Sequence, residues 1–402
     1  MPQFGHRGGV PNIAASCIRA GNFIFIGGQL SLDAEGRVIG EDIASQTRNV
    51  FEALKQELVQ AGAGMADIVK HNVYYDCGEA DEAEFLCEMN RVRLEYFSSP
   101  GPTTTEIRAG LTVEGALIAV EAIAVIGAEK EPLMPADHWA WSEPSPFCQG
   151  WKVGDLVFCG GQRSLDSNGQ LLGTGDIEIQ TDNAFRNFET IFKEVGGDRN
   201  SILRQNTYYR FLGEGHDVTD YWEKMTRVRM RYWASPSACG TGVRVHGLAD
   251  PDELIQVEGM GTLSTEKQRL MPADHWDWSI PGNDFTQGWR VGDLVFVGGQ
   301  ISADANARAV GDDMASQTRN VLQFVRNTLG EAGASERDVV KVNSYYCAEG
   351  DWDQIDATNQ TVADVLREFY PDPGPAMTNL RVTGFAFEEL LIEIEAIAVL
   401  NR

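Results

Sequence analysis

The chain has 402 residues, of which 43% are hydrophobic and 23% are charged, a composition that excludes a disordered or fibrous protein. Its 59 acidic and 33 basic side chains give a net charge of −26, which argues against nucleic acid and anionic membranes as partners. No run of 18 apolar residues is present, the N-terminal segment lacks the pattern of a signal peptide, and the seven cysteines form no CxxC pair. These features predict a cytoplasmic protein with free thiols.

The same set of segments occurs three times in the same order. A GGQ motif recurs with its glutamine at Gln29, Gln162 and Gln300, and an arginine between β-type residues recurs at Arg108, Arg244 and Arg381. The repeat length of about 134 residues is that of one domain and far exceeds that of a solenoid repeat. We therefore predict three copies of one domain, at 1–128, 145–265 and 283–402, joined by linkers at 129–144 and 266–282.

The first half of a unit shows the pattern of a hairpin followed by a helix and a strand. An alternating apolar segment predicts a strand over 23–26, and the polar turn at 33–36 predicts a hairpin with a returning strand. The helical spacing of Val50, Leu54 and Leu58 predicts a helix that is capped near Gly62. A β-branched and aromatic segment over Ile68–Tyr75 predicts the next strand.

The second half of the unit adds one helix and two strands. Phe85, Met89, Val92 and Tyr96 recur at helical spacing, and 103–111 and 117–126 have the composition of strands. The resulting order is ββαβαββ, which predicts an α+β domain with two helices on one face of a mixed sheet. We expect a sister domain to cover the other face.

The two linkers are near copies of each other and contain PADHWxWS. Their proline and charged residues are typical of exposed segments, whereas Trp139, Trp141, Trp276 and Trp278 carry large apolar rings that should pack on the domains. The Asp–His pairs that precede these tryptophans favour packing and turn formation over catalysis, because adjacent residues do not usually face each other.

Each unit resembles a domain of the RidA (YjgF/YER057c/UK114) family of small enamine and imine deaminases. The resemblance rests on the GGQ strand end, on the QTxN start of the first helix and on the closing VEAIA or EIEAIA strand. It implies three tandem chorismate-mutase-like domains that form an intramolecular pseudo-trimer. It also implies small-molecule sites in the clefts between domains and chemistry without a cofactor.

The units depart from the family at the arginine that binds the substrate carboxylate. The family has this arginine two residues after a proline, where the three units have Thr104, Gly240 and Met377. Each unit instead carries an arginine four residues later, on the same face of the strand, at Arg108, Arg244 and Arg381. A guanidinium group is well suited to hold a carboxylate through two hydrogen bonds.

The resemblance also points to other site residues. The glutamate proposed to position water in the family is present only as Glu393, because the other units have Ala119 and Gln256. The family's helix asparagine matches Asn90, and its aromatic residue near the opening turn matches Phe147 and Phe285. The catalytic candidates are Arg108, Arg244, Arg381 and Glu393. The substrate-binding candidates are Gln29, Gln162, Gln300, Asn90, Phe147, Phe285 and Thr104.

Two functions remain open from the sequence. The first is a RidA-like hydrolase that deaminates an imine, an enamine or a related small metabolite at one or two of the clefts. The second is a non-catalytic binding module that has kept the fold and lost the chemistry. The negative charge disfavours a third function, RNA cleavage. We expect no metal and no cofactor, since no histidine or cysteine set has ligand spacing, and a self-contained assembly that can associate further.

Overall fold

The computed structural model describes residues 14–141, 145–273, 275–277, 284–306 and 308–401. The first domain follows the predicted order after a short N-terminal strand. Its elements are β1 (Ala14–Ala15), β2 (Cys17–Ala20), β3 (Phe23–Leu30), α1 (Ile43–Gln60), β4 (Ile68–Tyr75), α2 (Glu82–Arg93), β5 (Thr103–Arg108) and β6 (Ile118–Val125).

The second and third domains repeat this order, each after one additional strand from the preceding connector. The second comprises β7 (Lys130–Leu133), β8 (Gly150–Val153), β9 (Leu156–Gln162), α3 (Ile177–Glu194), β10 (Ile202–Tyr209), α4 (Val218–Arg229), β11 (Cys239–Arg244), β12 (Gly247–Leu248) and β13 (Ile255–Thr262). The third comprises β14 (Gln268–Leu270), β15 (Gly288–Val291), β16 (Leu294–Ile301), α5 (Met314–Glu331), β17 (Val339–Tyr346), α6 (Trp352–Phe369), β18 (Gly374–Arg381) and β19 (Ile392–Val399).

The predicted α+β class and the ββαβαββ order are confirmed, but the predicted first hairpin is wrong. The strand that pairs with β3 is β2, which precedes it, and the segment after the polar turn makes only one isolated bridge, between Leu32 and Val38. The reason is that Gly21, at φ 60°, forms the tight turn between β2 and β3. β3 then lies between β2 and β6 and has no free edge for a returning strand.

The helices cover one face of each sheet. In the first domain Val50, Phe51, Leu54 and Leu58 of α1 are fully buried against the sheet, as their spacing predicts. Burying one such side chain contributes about 1.5–3 kcal/mol, so this face holds each domain together. Within the described residues, none of the helices combines the length and apolar character needed to cross a membrane.

The other faces of the three sheets pack against one another. Phe25, Phe158 and Phe296 occupy equivalent strand positions and belong to one buried cluster with residues of all three domains. The start of each domain also lies on the edge of another: β1 pairs with β18, Cys148 bridges to Thr103, and Ser237 donates its backbone N–H to Asp284. The three domains are therefore joined in a closed cyclic order.

Three buried ion pairs connect the domains where the sheets meet. Lys70 Nζ lies 2.5 Å from Glu258, Lys341 Nζ lies 2.6 Å from Glu121, and Arg204 pairs with Glu395. Each pair joins two different domains. Asn72, Asn206 and Asn343 donate to the same three carboxylates. These three asparagines are therefore part of the contact between the domains.

Candidate functional site

The three domain interfaces form three clefts, which we call the 1–2, 2–3 and 3–1 clefts after the domains that form them. The 2–3 cleft contains a cavity of about 50 Å³, which is enough for several water molecules. The second domain contributes α4 and β11, and the third domain contributes β19, the GGQ turn and its opening segment. The lining residues include Trp222, Arg229, Trp233, Gly240, Gly242, Trp276, Phe285, Phe387 and Glu393.

Glu393 is placed in this cavity by β19, and only 5% of it is exposed. Its Oε1 accepts a hydrogen bond of 3.1 Å from the backbone N–H of Gly242 in the second domain. Burial holds the pKa of the Glu393 carboxyl well above its usual value, and the hydrogen bond from Gly242 only partly offsets this. A carboxyl with a raised pKa in a cavity can give and take a proton near neutral pH.

Arg229, the last residue of α4, faces the same cavity and was not identified from the sequence. It is 4% exposed, and its guanidinium donates to Thr226 Oγ1 at 2.8 Å and to Thr207 Oγ1 at 3.2 Å. Its Nε has no hydrogen-bond partner among the described residues. The Trp222 ring lies 4.2 Å below the guanidinium and fixes its plane.

The environment of Arg229 is unusual for a cation. Burial lowers the pKa of Arg229 to about 9, while Tyr209 and Glu393 act in the opposite direction. The side chain is still charged at neutral pH. A buried guanidinium with two hydroxyl partners and a free N–H is able to bind an anion through charge-assisted hydrogen bonds.

Two glycines of β11 make room for this arrangement. Gly240 stands where the family has its carboxylate-binding arginine, and Gly242 stands two residues further on the same face. A side chain at Gly242 would place its Cβ 2.2 Å from the Trp222 ring, whereas at Gly240 the nearest atom would be 3.6 Å away. Gly242 thus leaves space for the tryptophan that supports Arg229.

The 1–2 cleft has the same framework, but protein groups fill it. Arg93 occupies the position of Arg229 and lies 2.5 Å from Glu106, which occupies the position of Gly242. Arg93 also donates to Asn90 at 2.8 Å and to Thr104 at 2.9 Å, and its guanidinium lies over the Phe147 ring at 4.7 Å. Three of the predicted substrate-binding residues are therefore brought together, around an arginine that already holds a carboxylate.

A second ion pair and a neutral histidine complete the polar filling of this cleft. Arg163 Nε lies 2.9 Å from Glu253, which is fully buried. His71 lies 3.2 Å from Arg93, and burial together with that cation lowers the pKa of His71 well below its usual value. The positive charges in the 1–2 cleft are thus neutralised within the protein.

The 3–1 cleft lacks both charged groups at the corresponding positions. Leu366 stands where Arg229 stands in the second domain, and Ala119 stands where Glu393 stands in the third. Met377 of the third domain is buried at the position of the family arginine. Among the described residues, these positions leave the 3–1 cleft without the acid and the cation of the 2–3 cleft.

The three GGQ glutamines are buried and hydrogen bonded within their own surroundings. Gln162 accepts from His138 at 2.8 Å and from Trp139 at 2.9 Å, and Gln300 accepts from Trp276 at 3.1 Å. Gln29 donates to Gly27 at 3.0 Å. Gln162 and Gln300 anchor the PADHWxWS connectors, whose Trp139 and Trp276 are buried as predicted; Trp278 lies outside the described residues.

The three recurrent arginines lie at the domain interfaces, beside loops of a neighbouring domain. Arg381 exchanges backbone hydrogen bonds with Gly110, and its Nε donates to Leu111 at 2.9 Å. Arg244 donates to Thr383, while Arg108 donates to Gly78 at 2.8 Å within its own domain. The structure does not bring these arginines into the cavity that contains Glu393 and Phe285.

The sequence contained one signal for Arg229. An RVR triplet ends the second helix in the first two units, at Arg91–Arg93 and 227–229, whereas the third unit has Leu366 at the last of these positions. Periodicity alone places Arg93 and Arg229 at the end of a helix, and only the packing of α2 and α4 shows that the side chains turn into a cleft.

Known proteins share the domain that this chain contains three times. The family model described as endoribonuclease L-PSP matches residues 14–126, 140–260 and 279–400. A RutC family protein of Pyrococcus abyssi is 38% identical over 111 residues, which are 27% of this chain and 84% of that protein. The 3-aminoacrylate deaminase RutC of Acinetobacter baylyi is 31% identical over 107 residues, or 26% of this chain and 81% of that protein.

A solved structure extends the likeness beyond one domain. The crystal structure of a chorismatase matches with a TM-score of 0.53 over 84% of this chain and 94% of that one. At 12% identity this likeness shows a common fold. The three matches of the family model cover most of the sequence, and the chain therefore belongs to the endoribonuclease L-PSP family, the RidA-type family that its GGQ and QTxN motifs predict.

Proposed function

We propose that the chain hydrolyses a C–N bond of a small imine or enamine in the 2–3 cleft, without a cofactor. The observation that carries this proposal is that Glu393 and Arg229 line one buried cavity, where neither has an oppositely charged hydrogen-bond partner among the described residues. The relative from Acinetobacter baylyi, named for deamination of 3-aminoacrylate, supports a reaction of this class.

Glu393 acts as the proton carrier in this reaction. Protonated Glu393 donates its proton to the imine nitrogen, or to the β-carbon of the enamine, and the resulting carboxylate then orients a water molecule. The water oxygen bonds to the imine carbon while its proton returns to Glu393. Glu393 then protonates the amino nitrogen of the carbinolamine, the C–N bond breaks while the hydroxyl proton passes back to Glu393, and ammonia leaves a carbonyl product.

Arg229 holds the substrate for this step. Imines and enamines derived from amino acids carry a carboxylate, and a planar guanidinium binds a carboxylate through paired hydrogen bonds. The 1–2 cleft shows this contact within the protein, since Arg93 holds the carboxylate of Glu106 at 2.5 Å. In the 2–3 cleft the position of Glu106 is occupied by Gly242, which has no carboxylate, so Arg229 can bind the carboxylate of a ligand.

We further propose that the three domains act as a pseudo-trimer within one chain and that the 2–3 cleft is its active site. Covalent linkage keeps three non-identical domains in a fixed order, so that one interface can retain chemistry while the others specialise in stability. The filled 1–2 cleft and the uncharged 3–1 cleft support this division.

One observation favours the second candidate, a binding module without catalysis. The family's carboxylate-binding arginine is replaced in all three units, by Thr104, Gly240 and Met377. A protein that kept only Arg229 as an anion-binding group would bind acids and leave imines intact.

Release of ammonia from imines distinguishes the two candidates. The imines are generated in the cuvette by an amino-acid oxidase, and ammonia formation is followed with the wild type, with Glu393→Gln and with Gln256→Ala, the matched position of the 1–2 cleft. We expect Glu393→Gln to lose most activity, roughly 100-fold or more, and Gln256→Ala to keep it. If the wild type does not accelerate ammonia release, the binding module is the remaining candidate. If Glu393→Gln keeps full activity, Glu393 is not the proton carrier.

A further inference from the structure

The walls of the 2–3 cleft indicate what kind of substrate fits it. We propose that the substrate carries an aromatic ring, or an apolar group of similar size, beside its carboxylate. This inference rests on the proposed function and adds the substrate class.

The lining of the cavity combines six aromatic side chains with two charged ones and with small, aliphatic and neutral polar residues. Arg229 and Glu393 are the charged residues among those that line it. Its aromatic residues come from α4 and the segment after it, from the second connector and from the loop before β19: Trp222, Trp233, Trp276, Phe285, Phe385 and Phe387. Ligand sites of this kind bind an apolar body through their walls and orient it through a few polar groups.

Two of these rings are fixed in place before any ligand binds. The Trp276 and Phe285 ring centroids lie 5.0 Å apart at 45°, and Trp276 is held by its hydrogen bond to Gln300. Rings held in this way present their faces without a further loss of side-chain entropy. An aromatic ligand therefore gains ring contacts with these faces in addition to the apolar area that it buries.

Comparison with the 1–2 cleft shows which apolar groups the 2–3 cleft has in addition. Phe387, Leu390 and Ile301 of the third domain correspond in sequence to Asp250, Glu253 and Arg163 of the second. Trp222 and Gly242 correspond to Leu86 and Glu106 of the first. Four positions that are charged in the 1–2 cleft are thus apolar or without a side chain in the 2–3 cleft. Both clefts have the buried arginine, and only the 2–3 cleft has the glutamate at position 393.

Two donors of the cleft are left for ligand oxygens. Trp233 Nε1 and Arg229 Nε are buried and have no hydrogen-bond partner among the described residues. A buried donor without an acceptor is destabilising, and a bound carboxylate would supply the missing acceptor. A three-carbon acid could satisfy the donors but would leave the aromatic walls uncovered.

Equilibrium binding tests the substrate class without requiring turnover. Calorimetry compares phenylpyruvate with pyruvate, two oxo acids that share the same reacting end and differ in the ring. We expect phenylpyruvate to bind at least about tenfold more tightly, because its ring buries apolar surface. Equal affinities, or tighter binding of pyruvate, would overturn the inference.

A matched pair of variants locates the effect in the 2–3 cleft. Trp233→Leu removes a ring from the cleft, and Phe97→Leu makes the equivalent change in the first domain. We expect Trp233→Leu to weaken phenylpyruvate binding about fivefold or more and to weaken pyruvate binding less, because pyruvate loses only the hydrogen bond from Nε1. Phe97→Leu should alter neither. A loss of phenylpyruvate binding only in Phe97→Leu would also contradict the inference.

The two proposals fail in different ways. Phenylpyruvate could bind selectively while the imines from phenylalanine and alanine are both left intact. In that case the protein is a binding module for aromatic acids, and the proposed hydrolase is wrong. If the imine from alanine is hydrolysed with a higher kcat/KM than the imine from phenylalanine, the hydrolase stands and the aromatic substrate is wrong.

Discussion

The backbone N–H of Gly242 in the second domain donates a hydrogen bond of 3.1 Å to Glu393 in the third. This bond is made across the domain interface, and the carboxyl that accepts it lies in a cavity beside a buried guanidinium. The acid is therefore held in place by a backbone group of another domain and not by an ion pair. Such an arrangement fixes its position while leaving its proton free for chemistry.

The pKa of Glu393 predicts how the protein's stability depends on pH. Because the pKa in the folded state is raised by burial, the contribution of this group to stability is full below its unfolded pKa of about 4.3 and is lost as the pH rises through the folded pKa. A glutamine does not titrate, so Glu393→Gln removes this loss of stability at higher pH. We expect the free energy of unfolding of the variant to improve relative to the wild type as the pH rises from 5 to 9.

Urea denaturation across that pH range measures this difference. Gln256→Ala, at the equivalent position of the 1–2 cleft, serves as the control and should change stability by an amount that does not depend on pH. Parallel pH profiles for the wild type and Glu393→Gln would show that the carboxyl titrates normally.

The two glycines of β11 should differ in their tolerance of a methyl group. In Gly242→Ala the new Cβ would lie 2.2 Å from Trp222, so the ring must move and the support of Arg229 is lost. In Gly240→Ala the nearest atom is 3.6 Å away, an ordinary contact. We expect Gly242→Ala to weaken binding of carboxylate ligands about tenfold or more, while Gly240→Ala stays near the wild type.

Isothermal titration with one oxo acid compares the two variants directly. Because both changes add the same group to the same strand, strand propensity is matched between them. Equal affinities of the two variants would mean that the position of Trp222 does not govern the site.

Arg229→Gln should stabilise the protein while it impairs the site. A buried guanidinium without an ion pair costs desolvation energy, so replacing it with a neutral amide relieves that cost. The same change removes the charge that binds the substrate. We expect KM to rise about tenfold or more while the melting temperature stays equal or increases, a combination typical of functional residues.

Arg381→Ala should show the opposite behaviour. It removes the hydrogen bond of 2.9 Å to Leu111 and exposes Trp352, whose ring lies 5.0 Å from the guanidinium. We expect a loss of about 1–3 kcal/mol in the free energy of unfolding and an unchanged KM. A rise in KM with unchanged stability would return this arginine to the candidate site.

The buried ion pairs between the sheets should contribute more to stability than surface pairs. Lys341→Met leaves Glu121 as an unpaired buried carboxylate, which costs about 3–5 kcal/mol. Arg319→Met, which breaks an exposed pair with Glu368, should cost no more than about 1 kcal/mol. Chemical denaturation measures both, and adding Glu121→Gln to Lys341→Met should recover part of the loss.

Much of the fold could be predicted from the pattern of apolar and polar residues in the sequence. The triplication, the strand Ile68–Tyr75 and the buried face of α1 follow from local periodicity, because one buried face imposes its repeat on the sequence. The hairpin was misplaced because the pattern shows that 23–26 is a strand and does not show which neighbour pairs with it. The choice between the turn at Gly21 and the turn at 33–36 depends on β6, which occupies the other edge of β3.

The residues of the candidate site could be predicted only in part from the sequence. Glu393 and Phe285 were identified through the family's motifs, and the structure places both in one cavity. Arg229 was missed because its helix is amphipathic in the ordinary way, and nothing local distinguishes a charged residue that turns into a cleft from one that faces solvent. The recurrent arginines were favoured because they recur; the structure places them beside interdomain loops outside this cavity, and a site role for them stays a prediction.

The sequence by itself determined the number of domains, their fold and the absence of the family's usual arginine, because these are properties of local pattern and identity. Only the tertiary structure decided which cleft keeps an acid and a cation together. That outcome depends on which groups packing brings together: Arg93 meets Glu106 within the first domain, whereas Arg229 of the second domain shares a cavity with Glu393 of the third. The spacing of residues along the sequence cannot predict such a contact, because it forms only when the domains pack together.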